Sequence, residues 1–186
     1  MKIAAFDIGG TALKMGVVLP HGEIILTKSA EIIGSDGDQI LTEMKQFLAE
    51  NTDVNGIAIS APGYVNPKTG LITMGGAIRR FDHFNLKVWL ETETNLPVSI
   101  ENDANCALLA EKWLGKAADL DDFLCLTIGT GIGGGITSRP TFIAELQHHM
   151  TSFGLRDTII ETATHKNQAG LLGAVYHFLQ EENRHE

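Results

Sequence analysis

From Thr127 to Gly135 the chain reads Thr-Ile-Gly-Thr-Gly-Ile-Gly-Gly-Gly, with five glycines in the seven positions after an apolar run that begins at Phe123. Each glycine disfavours a helix interior by about 1 kcal/mol relative to alanine, so this stretch cannot continue as helix. It reads as a strand over 122–128 entering a glycine-rich turn over 129–135. Threonines beside bare glycine N–H groups offer the donors of an anion-binding loop, whereas a flexible hairpin is the plainer alternative. No Gly-Lys-Ser/Thr follows, and no helix starts at the dinucleotide-fingerprint spacing, so neither of those nucleotide loops is present.

A second glycine turn lies near the start. Asp7-Ile8-Gly9-Gly10-Thr11 separates two apolar strands, over 2–8 and 13–19, and a third strand over 23–28 follows His21-Gly22. Here too glycine backbone and a threonine hydroxyl suit phosphate, and a tight β-turn is the competing explanation. Asp7 at a strand end can hold Mg²⁺ through water, and Lys14 can offset phosphate charge or simply be exposed.

Between these turns the pattern alternates. Asp36 with Gln39 has capping-box spacing before Ile40, Met44, Phe47 and Leu48, which predicts an amphipathic helix over 36–50. A strand over 54–60 must leave its sheet at Ala61-Pro62-Gly63, and Asn66 to Gly70 predicts a hairpin turn. Asn85 caps a helix to about 94, Pro97 opens a strand over 97–101, and a helix over 104–114 stops at Gly115. The order βββαβαβα predicts an α/β domain with a mixed sheet. After 121 come the strand and glycine turn, a helix over 140–151, a strand over 157–161 and a helix over 167–181. That is too little for a second complete unit.

Glu101-Asn102-Asp103-Ala104-Asn105 joins a strand to a helix start. Asp103 there is either an N-cap or first-turn carboxylate at the positive helix end or a general base for a hydroxyl, with Asn102 bonding the same substrate. Arg79-Arg80 beside Phe81 reads as an exposed loop or a cleft lining. The seven histidines show no zinc spacing and read as surface. Cys106 and Cys125 lack Cys-x-x-Cys spacing and read as buried thiols.

Composition closes other routes. Lys+Arg 14 against Asp+Glu 23 gives a net charge of −9, which disfavours a nucleic-acid partner. No apolar run approaches the roughly 20 residues that span a bilayer, and no signal peptide precedes Asp7, so a cytoplasmic protein is expected.

Taken together, Asp7 to Thr11 with Lys14, Ala61-Pro62-Gly63, Glu101 to Asn105, and Thr130 to Gly135 resemble in order and spacing the signature series of the ROK sugar kinases. The resemblance implies the actin-like ATPase (ribonuclease H-like) fold, with an N-terminal α/β domain over 1–118 and a second, truncated α/β domain over 119–186. It implies that the last helix returns to the first domain. Within the family the likeness is to members acting on β-glucosides such as cellobiose, phosphorylating the 6-hydroxyl of a glucosyl unit with ATP and Mg²⁺. By that resemblance Asp103 is the catalytic base, and Asn102, Gly63 and Gly76 face the sugar. Asp7, Gly9, Gly10, Thr11 and Lys14, then Thr130, Gly131, Gly133 and Gly134, face the nucleotide.

Two departures stand out. Met74 to Arg80 replaces the Asn-Leu-Pro sugar loop common in family glucokinases. After Gly133-Gly134-Gly135-Ile136 the chain passes at once to Thr137-Ser138-Arg139-Pro140, which resembles a later family segment, as does the Asn167 to Ala174 stretch. Two Gly-Gly-Gly-Ile copies merged at 133–136 would account for this and would delete the segment carrying His and Glu sugar ligands and the cysteine-rich zinc motif. No zinc is expected, the strand over 122–128 is left with an exposed edge that favours self-association, and little or no turnover is expected. A non-catalytic sugar- or nucleotide-binding remnant is the alternative. The family's repressors carry an N-terminal DNA-binding domain for which 1–6 leave no room.

Overall fold

The computed structural model describes residues 1–128, 132–137 and 163–184. Three strands open the chain, β1 (Ile3–Ile8), β2 (Ala12–Val18) and β3 (Ile24–Glu31), followed by α1 (Gly37–Glu50) and β4 (Gly56–Ala61). A small hairpin of β5 (Tyr64–Val65) and β6 (Leu71–Met74) comes next, with β7 (Phe84–Asn85) added to it. Then follow α2 (Leu86–Thr94), β8 (Val98–Asn102), α3 (Asp103–Leu114), β9 (Phe123–Ile128), β10 (Ile132–Thr137) and α4 (Ala169–Asn183).

The main sheet has the order β3-β2-β1-β4-β8, antiparallel from β3 to β1 and parallel from β1 through β4 to β8. Alternation along each strand sends neighbouring side chains to opposite faces, which sorts the core into two layers. Phe6, Met15, Ile57 and Ile100 pack with α1 and α2 residues such as Met44, Phe47 and Leu90. Ile3, Ala5, Val18 and Ala58 face α3 and α4, meeting Cys106, Ala110, Leu171, Val175 and Phe178. Small residues on that second face bring the helices close. A Cβ at Gly56 would run into the Phe178 ring, and one at Gly173 would run into the Cys106 backbone. Trp113 and Tyr176 stack across the same helix pair, with ring centroids 5.3 Å apart.

Local signals behave as their chemistry dictates. The Asp36 carboxylate accepts from the N–H groups of Asp38 and Gln39, and Asn85 accepts from Val88, each cap supplying about 1 kcal/mol. Gln39 does not complete the capping box: its amide reaches Ile33 N and Glu31 O instead. The β3 strand turns toward α1 through the Ile33–Ser35 turn and brings those groups nearer than Asp36 N.

Three expectations need correction. Gly133, Gly134 and Gly135 are not turn residues but lie in β10, paired with Thr127, Leu126 and Cys125, so any turn is confined to 129–131, outside the described residues. β9 needs a ladder partner, and glycines can supply one because the ladder uses only backbone groups. His177 is not solvated surface; it is buried on the α4 face that holds Ala174 and Phe178, with no partner for its Nε2, and burial lowers its pKa. Cys106 is fully buried, whereas Cys125 is only half-buried; among the described residues its strand β9 pairs with β10 alone. The expected helix over 140–151 and strand over 157–161 fall outside the described residues.

Candidate active site

The parallel ladder fixes which residues meet. Asp7 pairs with Ser60, Ser60 with Glu101, and Ala61 with Asn102, so the C-terminal ends of β1, β4 and β8 finish side by side. This is the edge of an open α/β sheet where ligands bind. Asp7 lies near the end of one outer strand of this trio, and Asp103 opens the helix that follows the other.

Asp7 points to the α3–α4 face. Its Oδ1 accepts from the fully buried Ser60 hydroxyl at 2.8 Å, and its Oδ2 pairs with the Lys14 ammonium at 3.3 Å. A Cβ at Gly170, the second residue of α4, would overlap the Asp7 carboxylate, so a bare helix start closes on it. Gly9 donates its N–H to Ala12 O at 2.9 Å and thereby shapes the turn. Gly10 is fixed by Ser35, whose hydroxyl donates to Gly10 O, and lies beside Ala77. Thr11 is exposed at the tip.

Asn102 is the N-cap of α3. Its Oδ1 accepts from Ala104 N and Asn105 N, and its Nδ2 donates to Gly63 O at 2.9 Å, tying the Pro-Gly turn to the helix start. Gly63 has φ 86°, and a Cβ there would collide with the Met74 carbonyl and crowd Gly76, itself at φ 62°. Asp103 is exposed in the first turn of α3, accepting from Ala104 N at 2.8 Å. Partial desolvation raises its pKa; the Ala104 N–H opposes this, and the negative charge of Asp7 adds to it.

Asp103, Asn102, Gly63 and Gly76 are therefore contiguous, and Gly10 meets their loop through Ala77. Gly133 and Gly134 are strand residues on a hairpin set against α3. Thr130 and Gly131 lie outside the described residues. Arg79 pairs with Asp82 inside its own loop, and Arg80, over the Phe84 ring, pairs with Asp38 and ties the loop to α1. Two further residues at the site receive no role from the sequence. Glu101 accepts from Asn102 N and from Asn105 Nδ2, bracing the loop that carries Asp103. Ser60 orients Asp7; the only sequence hint was a polar residue inside an otherwise apolar strand.

A mixed five-stranded sheet, antiparallel from β3 to β1 and parallel from β1 to β8, with helices on both faces, is the actin-like ATPase class of fold. The model of the ROK family matches residues 3–144, and the chain belongs to the ROK family. Two relatives called β-glucoside kinase, from Listeria monocytogenes and Listeria innocua, are each 58% identical over 294 aligned positions covering 100% of both proteins. Since this chain has 186 residues, those relatives contain internal sequence without a counterpart here. The solved structure of the Lmo2764 protein from Listeria monocytogenes superposes with a TM-score of 0.88 at 57% identity, covering 98% of this chain and 100% of that one. A ROK glucokinase from Streptomyces griseus, in complex with glucose and AMPPNP, gives 0.67 at 35% identity over 74% of this chain and 45% of its own.

Proposed function

We propose that this chain, an ATP-dependent sugar kinase by class, recognises a β-glucoside such as cellobiose and directs its 6-hydroxyl toward the γ-phosphate of ATP. The observation that carries this reading is the Asn102–Gly63 tie beside Asp103, at the sheet edge where β1 also ends near Asp7. Phosphoryl transfer needs positioning and charge stabilisation more than covalent chemistry. Asp103, with its pKa raised, is suited to accept the hydroxyl proton as the oxygen approaches phosphorus. Asn102 holds the Gly63 turn against the sugar's position and retains an amide N–H for the ligand. Gly10 and Thr11 present the hairpin to the phosphates, with Lys14 alongside.

Asp7 fits Mg²⁺ through water: it is a hard anionic oxygen donor with its rotamer fixed by Ser60 and with lone pairs beyond those that Ser60 and Lys14 use. The ion, when bound, would neutralise phosphate charge. ATP as donor points to a cytoplasmic setting.

We further assign the missing internal sequence to the junction at 133–136, which removes part of the sugar site and leaves turnover far below that of the long relatives. Isothermal titration with ATP and with cellobiose, followed by a phosphate-transfer assay, tests the reading. Binding of both with little transfer is expected; a kcat equal to that of a long relative overturns the assignment of lost ligands, and binding of neither overturns the site.

A further inference from the structure

We infer that Tyr64 and Met74 form a platform for the second ring of a β-linked disaccharide, an inference that rests on the function proposed above and extends it from the reacting sugar to what is attached to it. Tyr64 is 70% exposed and Met74 48%, among the largest apolar exposures of the described residues. They are cross-strand neighbours, Tyr64 opposite Met74, whereas the next rung pairs Val65 with Ile72. Two residues of β6 thus answer one step of β5, and the surplus residue is Thr73. In an unbroken ladder Tyr64 would face Thr73. The irregularity instead sets an aromatic ring beside a thioether, a re-aiming for which bulges near active sites are known. Thr73 Oγ1 donates to Tyr64 O at 3.2 Å, and Val65 packs on the core, so the exposed pair stands on a fixed base.

The platform is joined to the site by backbone. Tyr64 follows Gly63, whose carbonyl is held by Asn102, and Met74 O lies where a Gly63 side chain would be. Polar groups of Asn102 and Asp103 therefore meet the reacting ring, while an apolar surface begins one residue further out. β-Linked glucose rings carry equatorial substituents and present faces of axial C–H groups, which suit an aromatic face and a polarizable sulfur. Starting one residue beyond Gly63, this surface would meet a ring attached to the reacting sugar rather than the reacting sugar itself.

Titration of the full chain with cellobiose and with glucose, using the unmodified protein, Tyr64→Ala and Tyr64→Phe, tests this. Tyr64→Ala is expected to weaken cellobiose binding about fivefold, leave glucose within about twofold, and leave the melting curve unchanged, while Tyr64→Phe keeps both affinities. Equal weakening for both sugars, or no change, overturns the platform and leaves the kinase reading intact. Loss of self-association without a change in sugar binding also overturns it, making the pair a contact between copies. If the unmodified chain binds glucose as tightly as cellobiose, the platform alone falls; if it binds neither, the platform and the site reading fall together.

Discussion

The five-stranded sheet and the β9–β10 hairpin make opposite use of similar apolar strands. The first is covered on both faces, by α1 and α2 on one and α3 and α4 on the other, so Phe6, Ile57 and Ile100 are wholly buried. The second is a two-stranded sheet set against α3, and Leu124 in β9 remains 52% exposed. Two strands alone are marginal in water. The difference teaches that Asp7, Asn102 and Asp103 stand on a sheet with helices on both faces, whereas among the described residues the hairpin has only α3 against it.

The comparison is broken most severely at Asp103. Asp103→Asn is expected to lower any phosphate transfer by about 10²–10⁴-fold while sparing ATP binding, measured by a coupled assay and calorimetry. A carboxyl with a raised folded pKa keeps its proton longer in the fold than in the unfolded chain. Stability therefore falls as pH rises between the two values, and the variant should melt no lower than the parent at neutral pH. A lower melting point would make Asp103 structural.

Gly173→Ala attacks the covered side. Its Cβ would strike the Cys106 backbone, prising α4 from α3, with a loss of about 1–3 kcal/mol in a denaturant melt. Glu111→Gln should cost about 1–3 kcal/mol. Its buried carboxylate accepts from Lys116 N, Thr164 N and His165 N, fastening the lead-in of α4 to α3. Burial alone would raise the Glu111 pKa, but those N–H groups outweigh it and hold it below the usual range. Its contribution is present above the unfolded glutamate pKa and lost as pH falls through the lower folded value, so melts at descending pH should converge for parent and variant. The smallest effect belongs to the hairpin: Leu124→Lys should shift stability by less than about 0.5 kcal/mol and reduce self-association in sedimentation. An equally large loss of stability there would show the hairpin to be integral to the core.

What could be read from residues alone follows from how local each cause is. Asp36 and Asn85 act on N–H groups two or three residues ahead, and the strand alternation sorts side chains without knowledge of the partner; at the start of α3 the cap falls on Asn102 rather than on Asp103, the residue expected to hold it. The Asn102–Gly63 tie, the Ser60–Asp7 bond and the Glu111 clamp join positions far apart in sequence, so no local pattern announces them. His177 lay on a legible stripe with Gly173, Ala174 and Phe178; treating histidine as polar by type hid it. The glycines of β10 misled for the opposite reason, since their propensity speaks for a turn and only the pairing with β9 decides otherwise.

The bare start of α4 against Asp7 has a consequence for biosynthesis. A strand made among the first residues waits for a helix made more than 150 residues later before its carboxylate has its final surroundings. During translation the emerging polypeptide can assemble most of the sheet early, yet the corner around Asp7 is finished only after residues 169–183 clear the ribosome, so that corner matures well after the strand that carries it.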